Sequence, residues 1–149
     1  MQVSIVRLAP SAHGEGDHAF VPFRIAKARE KGFSADIDDG SNRWSAVHRR
    51  DAAVVFRLAL EAGPAHATYH GNAEEGITFR DIATAVGQGL HLPVESVPPE
   101  AADDHFDWLS GFVALDCPAS SASTQERLGW RPGHVGLLGD RAAGHYFEA

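Results

Sequence analysis

Gly14-Glu15-Gly16-Asp17-His18-Ala19 has the Gly-x-Gly-x-x-Gly/Ala spacing with which a backbone turn can cradle a pyrophosphate. Asp36 or Asp38 follows at about the distance from which a carboxylate reaches a ribose. Two features oppose this dinucleotide reading. Pro10 to His13 separate the preceding strand from the first glycine, where a true fingerprint turns at once, and Glu15 and Asp17 would set two carboxylates against the phosphate. The same loop holds His13 and His18 around Asp17. No third metal donor stands at a fixed spacing, so solvated loop histidines are the better reading. His66 and His70 have the spacing of helical zinc ligands, yet the Ala67-Thr68-Tyr69 run between them is strand-like. Cys117 is the only cysteine, which excludes an internal disulfide and a thiolate-built zinc site. No Gly-x-Ser-x-Gly elbow is present for a serine nucleophile.

The elements that must carry these residues follow from periodicity and turn chemistry. Val3 to Leu8, with Val3, Ile5 and Val6, reads as a buried strand that runs into the loop Ala9 to Asp17. Loops at the carboxyl ends of strands in open α/β sheets are where ligands bind. Phe20 to Lys31 is a helix with Pro22 near its start and Gly32 past its end. Phe33 to Ile37 is a short strand leading to the turn Asp38-Asp39-Gly40-Ser41-Asn42. Arg50 to Glu61 is the clearest helix, with Val54, Val55, Leu58 and Ala59 at helical spacing and Gly63-Pro64 as its stop. Thr68 to His70 is a second short strand. Thr78 with Asp81 resembles a capping box opening a helix that carries Ile82, Val86 and Leu90 on one face. A strand at Val94 to Val97, a helix from Pro99 towards Ser110, a stub at Thr124 to Leu128 and an amphipathic segment around Leu137 to Phe147 complete the chain. Strands alternating with helices predict the α/β class. Trp44, Trp108 and Trp130 are expected in core or rim packing.

Composition narrows the partners. The 149 residues, 44% hydrophobic and 22% charged, fit a single domain over 1–149 with a sizeable core. A net charge of −7 without a Lys/Arg run argues against nucleic acid and anionic membrane surfaces. There is no apolar run of about 18 residues and no signal-peptide pattern, so the expected location is the cytoplasm.

Several motifs, in order, resemble the C-terminal, substrate-binding half of extended short-chain dehydrogenase/reductases of the NAD-dependent epimerase/dehydratase type. Ile5 to Gly14, containing Arg7, Pro10 and His13-Gly14, is similar to the strand and loop after that family's catalytic helix. Gly14-Glu15-Gly16-Asp17 with Phe20-Val21-Pro22 resembles its Gly-Pro-Gly-Asp loop and helix start. Asp39-Gly40-Ser41-Asn42-Arg43-Trp44 with Val47-His48-Arg49-Arg50-Asp51 resembles the block before a substrate-side helix, and Leu128-Gly129-Trp130-Arg131-Pro132 the stop near its C-terminus. The resemblance spans residues 3 to 147.

It implies a partial Rossmann-type α/β fold of a few mostly parallel short strands and about five helices. It also implies that the backbone at Pro10 and Ser11 faces the nicotinamide end of an NAD or NADP cofactor, and that His13 and Arg43 lie on the substrate side. A bidentate guanidinium at Arg43 would suit a phosphate or carboxylate; its structural alternative is a surface pair with Asp38 or Asp39. His48 and Asp51 are expected to organise the turn and cap the following helix. The family's glycine-rich cofactor loop and Tyr-x-x-x-Lys pair have no counterpart in the sequence: neither Tyr69 nor Tyr146 is followed four residues later by a lysine. The expectation is therefore a substrate-binding part whose N-terminal Rossmann half is absent, inactive and binding no cofactor alone, with a small-molecule substrate and either self-association or a separate Rossmann half as partner. The alternative is a stand-alone small-molecule binding or interaction module.

Overall fold

Apolar spacing and turn residues dictate where the chain coils and where it stops. The structure is a computed structural model that describes residues 3–62, 67–142 and 144–148. Its first half runs β1 (Ile5–Leu8), β2 (Ser11–His13), α1 (Phe20–Lys31), β3 (Ser34–Ile37), β4 (Arg43–His48) and α2 (Arg49–Ala62). The second half continues β5 (Thr68–Gly71), β6 (Glu74–Thr78), α3 (Phe79–Leu90), β7 (Val94–Val97), α4 (Ala102–Phe106), α5 (Ser110–Val113), α6 (Ala122–Leu128) and α7 (Leu137–Ala142). Gly32 ends α1 in the left-handed region, at φ 81°, and its N–H donates to the Ala28 carbonyl. Thr78 caps α3 by accepting the Asp81 N–H at 3.1 Å. The shorter Asp81 side chain accepts the Thr78 hydroxyl at 2.6 Å instead of reaching the cap's own N–H. The Gly63-Pro64 stop and His66 lie outside the described residues.

The α/β class with mostly parallel pairing is what forms. β1 pairs with β5, β2 with β4 and β3 with β7, all parallel, while β6 runs antiparallel to β4. Three small sheets result, β1-β5, β2-β4-β6 and β3-β7. Seven α-helices form among the described residues where about five were expected. One reason is Asp107, whose φ of 49° interrupts the stretch read as a single helix from Pro99 to Ser110.

Two hydrophobic clusters meet at β4, whose residues Trp44 to His48 are all buried. Trp44 and Ala46 pack with Val21, Ile25, Phe79, Ile82 and Phe106. Val47 joins Val55, Tyr69 and Trp130 on the other side. Inside the first cluster the Arg24 guanidinium lies 3.9 Å over the Phe79 ring, and burial, with Arg141 nearby, holds Arg24 below its usual value. Trp44 and Trp130 are buried in the core, and the exposed Trp108 packs at the rim against Phe20 and Phe23. The strand expected to be buried is not: Ile5 is 53% and Leu8 41% exposed. β1 has β5 as its only strand neighbour among the described residues. No helix among them is long and apolar enough to cross a membrane.

Candidate functional site

The carboxyl ends of β1 and β5 open onto a groove of about 180 Å³ walled by Leu8, Pro10, Ser45, Asn72, Cys117 and Pro118. β1 delivers Pro10 to its edge, β4 delivers Ser45, and the turn after β5 delivers Asn72. Ser45 Oγ and Asn72 Oδ1 are buried without a hydrogen-bond partner among the described residues. Polar atoms so placed carry a desolvation cost that a ligand or water can relieve. A second groove, about 330 Å³, shares Arg7 and His70 with the first and adds Thr68, Ser120, Ser123 and Thr124. His70 is held between them, its N–H donating to Thr124 Oγ1 at 2.7 Å and its Nδ1 lying 3.2 Å from the Ser120 carbonyl.

Of the four residues marked in advance, Pro10 lines the groove. Ser11 is buried in β2 opposite Ala46. His13 is also buried; its Nδ1 lies 2.8 Å from Asp140 Oδ2, and its Nε2 has no partner among the described residues. Arg43 is half-exposed, and its partner is Asp116 rather than Asp38 or Asp39. Nε and Nη2 donate to the two carboxylate oxygens at 3.1 and 2.9 Å, and the Arg43 N–H adds a bond of 2.7 Å. These bonds raise the Arg43 guanidinium and hold Asp116 below the usual carboxylate range.

The Gly-x-Gly turn is closed on the chain's own groups. Asp17 N–H donates to the Gly14 carbonyl at 3.0 Å, Ala19 N–H to Asp17 Oδ1 at 2.7 Å, and Gly14 N–H to the Tyr146 hydroxyl at 2.8 Å. The strand after α1 joins β7 rather than β2, so the turn is not the first corner of a βαβ unit within one sheet. These residues do not fit a dinucleotide phosphate. The two glycines instead make room for Arg49. A Cβ at Gly14 would fall 3.0 Å from Arg49 Cγ, and one at Gly16 would fall 3.3 Å from its Nη1.

Beyond the turn lies an array of imidazoles that sequence spacing did not reveal. His13 meets His48 edge-on at 5.4 Å, and His48 stacks on His134 at 4.8 Å and 10°. His134 Nδ1 lies 2.7 Å from Asp51 Oδ1, and Asp51 also accepts the N–H groups of Gly133 and His134. Burial works to raise Asp51 and is outweighed by these donors, so the carboxyl sits below its usual value. Burial, reinforced by His13, pushes His48 down, leaving it neutral near pH 7. His48 does cap α2, accepting the Arg50 N–H on Nδ1 at 3.2 Å. Asp51 instead clamps residues 133 and 134. No group of three or more His, Cys, Asp or Glu residues among the described ones is arranged to hold a metal ion.

No family model matches the chain. It is 52% identical over 147 residues to an uncharacterized protein of Schizosaccharomyces pombe, covering 99% of this chain and 50% of that protein. A second uncharacterized protein, from Saccharomyces cerevisiae, is 47% identical over 141 residues, covering 95% and 47%. The chain thus spans about half the length of the curated relatives it matches. Among solved structures, dTDP-glucose 4,6-dehydratase of Streptomyces venezuelae, with NAD and TYD bound, superposes with a TM-score of 0.72 at 20% identity, covering 97% of this chain and 43% of that one. UDP-glucose-4-epimerase of Stenotrophomonas maltophila, with bound NAD and formylated UDP-arabinopyranose, gives 0.67 at 16%, covering 98% and 47%. At these identities the likeness is one of fold.

Proposed function

We propose that this chain forms the substrate-side portion of an NAD(P)-dependent short-chain oxidoreductase or sugar epimerase/dehydratase-like enzyme. The observation that carries the reading is the strand-end groove, in which Pro10 borders the buried, unpartnered Ser45 Oγ and Asn72 Oδ1. Support comes from the fold shared with enzymes solved with NAD and nucleotide ligands. In this reading the backbone at Pro10 and Ser11 borders the nicotinamide end of the cofactor, and Arg43, set by Asp116, faces the substrate. His13 contributes from behind, its bond to Asp140 fixing β2, the strand that begins at Ser11. The cofactor supplies hydride transfer when bound. The chain's own residues orient the substrate and shield it from water.

The reading predicts no turnover of nucleotide sugars by the purified 149 residues with NAD or NADP, and turnover once a dinucleotide-binding domain bearing a Tyr-x-x-x-Lys helix is joined to or mixed with them. In that assembly Asn72→Leu lowers kcat/KM. Robust NAD(P)-dependent turnover by the 149 residues alone overturns the division of labour. An active assembly indifferent to Asn72→Leu overturns the groove.

A further inference from the structure

Sharing no residue with the strand-end groove, a separate pocket of about 300 Å³ is lined by Glu15, His48, Arg49, Arg50, Asp140 and His145, among others. Arg49 and Arg50 are exposed, and neither side chain has an ion-pair or hydrogen-bond partner among the described residues. Other guanidiniums do have partners: Arg43 bonds Asp116, Arg57 bonds Glu61 and Arg80 approaches Asp36. Arg49 is also positioned, because its stem lies across Gly14 and its Nη1 beside Gly16, where a side chain on either glycine would displace it. Both glycines hold positive φ, 142° and 78°.

His48 supplies a third donor. Its Nδ1 accepts the Arg50 N–H, so the neutral ring carries its proton on Nε2. His48 is 9% exposed and lines the pocket, and Nε2 has no partner among the described residues. Of the two carboxylates present, Asp140 is engaged by His13 at 2.8 Å and His145 at 3.7 Å. Glu15 stands exposed at the mouth, an acceptor suited to a hydroxyl.

We propose that this pocket is a phosphoryl-binding site, in which Arg49, Arg50 and His48 Nε2–H hold the phosphate of a hydroxyl-bearing phosphomonoester. The positioned Arg49 guanidinium and the neighbouring Arg50 match the oxygens of a tetrahedral dianion, and the neutral imidazole N–H completes the set without a further charge to desolvate. The site is distinct from the strand-end groove and does not depend on its reading.

The test is a titration of the protein with inorganic phosphate and with glycerol 3-phosphate, followed by calorimetry and by the imidazole NMR signals. Saturable binding at one site is expected, with the His48 Nε2–H signal moving most and the phosphomonoester binding more tightly than phosphate. Arg49→Gln, which keeps the side-chain stem, and Arg50→Gln each weaken binding about tenfold, the size of one charge-assisted hydrogen bond, while Arg57→Gln, on the same helix, leaves it unchanged. Overturning outcomes are a linear, unsaturated response, equal weakening by all three variants, or saturation that leaves the His48 signal in place.

Discussion

Asp51 shows how one carboxylate can hold distant chain segments together. It is buried at the start of α2 and accepts from two backbone N–H groups and one imidazole, all more than 80 positions away. Asp51→Ala leaves those donors facing a buried void, and a loss of about 2–3 kcal/mol is expected in denaturant unfolding. Asp51→Asn, which keeps an acceptor oxygen, loses less. His105 acts through its own proton. Burial, with Lys31 and Arg24 nearby, lowers it from 6.5 to about 4, and its ring packs between Phe33 and Phe106. Above pH 6.5 both folded and unfolded chains carry it neutral, so it contributes no slope there. From 6.5 down to about 4 the unfolded chain takes up a proton that the folded chain refuses, and stability falls. His105→Leu is expected to flatten that part of a Tm-against-pH profile. The depressed His48 keeps some of the slope in the variant.

At the level of elements, the segment Gly144 to Glu148 straps the Gly14 turn to two helices. Tyr146 bonds both backbone groups of Gly14 and the Asp17 carboxylate, the Phe147 ring covers Gly89 of α3, and Arg29 of α1 donates to the Phe147 carbonyl. Burial and the neighbouring carboxylates hold the Tyr146 phenol above its usual value, keeping it a neutral donor and acceptor. Tyr146→Phe is expected to cost about 1–2 kcal/mol and, more specifically, to speed hydrogen exchange at Gly14 and Asp17 while α2 exchanges as before. The helices with local punctuation, α1, α2 and α3, were legible in the sequence to within a residue or two. The strands β2, β4 and β6 were not. β4 is buried on both faces, so Trp44-Ser45-Ala46-Val47 shows no alternation, and β2 is three residues long. The site divides in the same way. The Gly14–Asp17 turn was readable from local motifs, whereas the His13–Asp140 bond joins residues 127 positions apart and leaves no mark at any local spacing.

For the whole molecule, the exposed apolar residues of β1 and its approach bear on the solution behaviour. Val3, Ile5 and Leu8 present apolar surface on or next to a strand with a single strand partner among the described residues, an arrangement that invites edge-to-edge pairing. The 149 residues are expected to self-associate as concentration rises in sedimentation velocity, and Ile5→Lys to shift them towards monomer. A concentration-independent monomer in both forms would count against an adhesive edge. The interior carries a different consequence. Because Ala46 faces one apolar cluster and Val47 the other, a single extended strand is the party wall of two rooms. Neither room can come down with that wall standing, so the two clusters are expected to unfold as one cooperative unit, with damage on either side felt in hydrogen exchange at the amides of the strand between them.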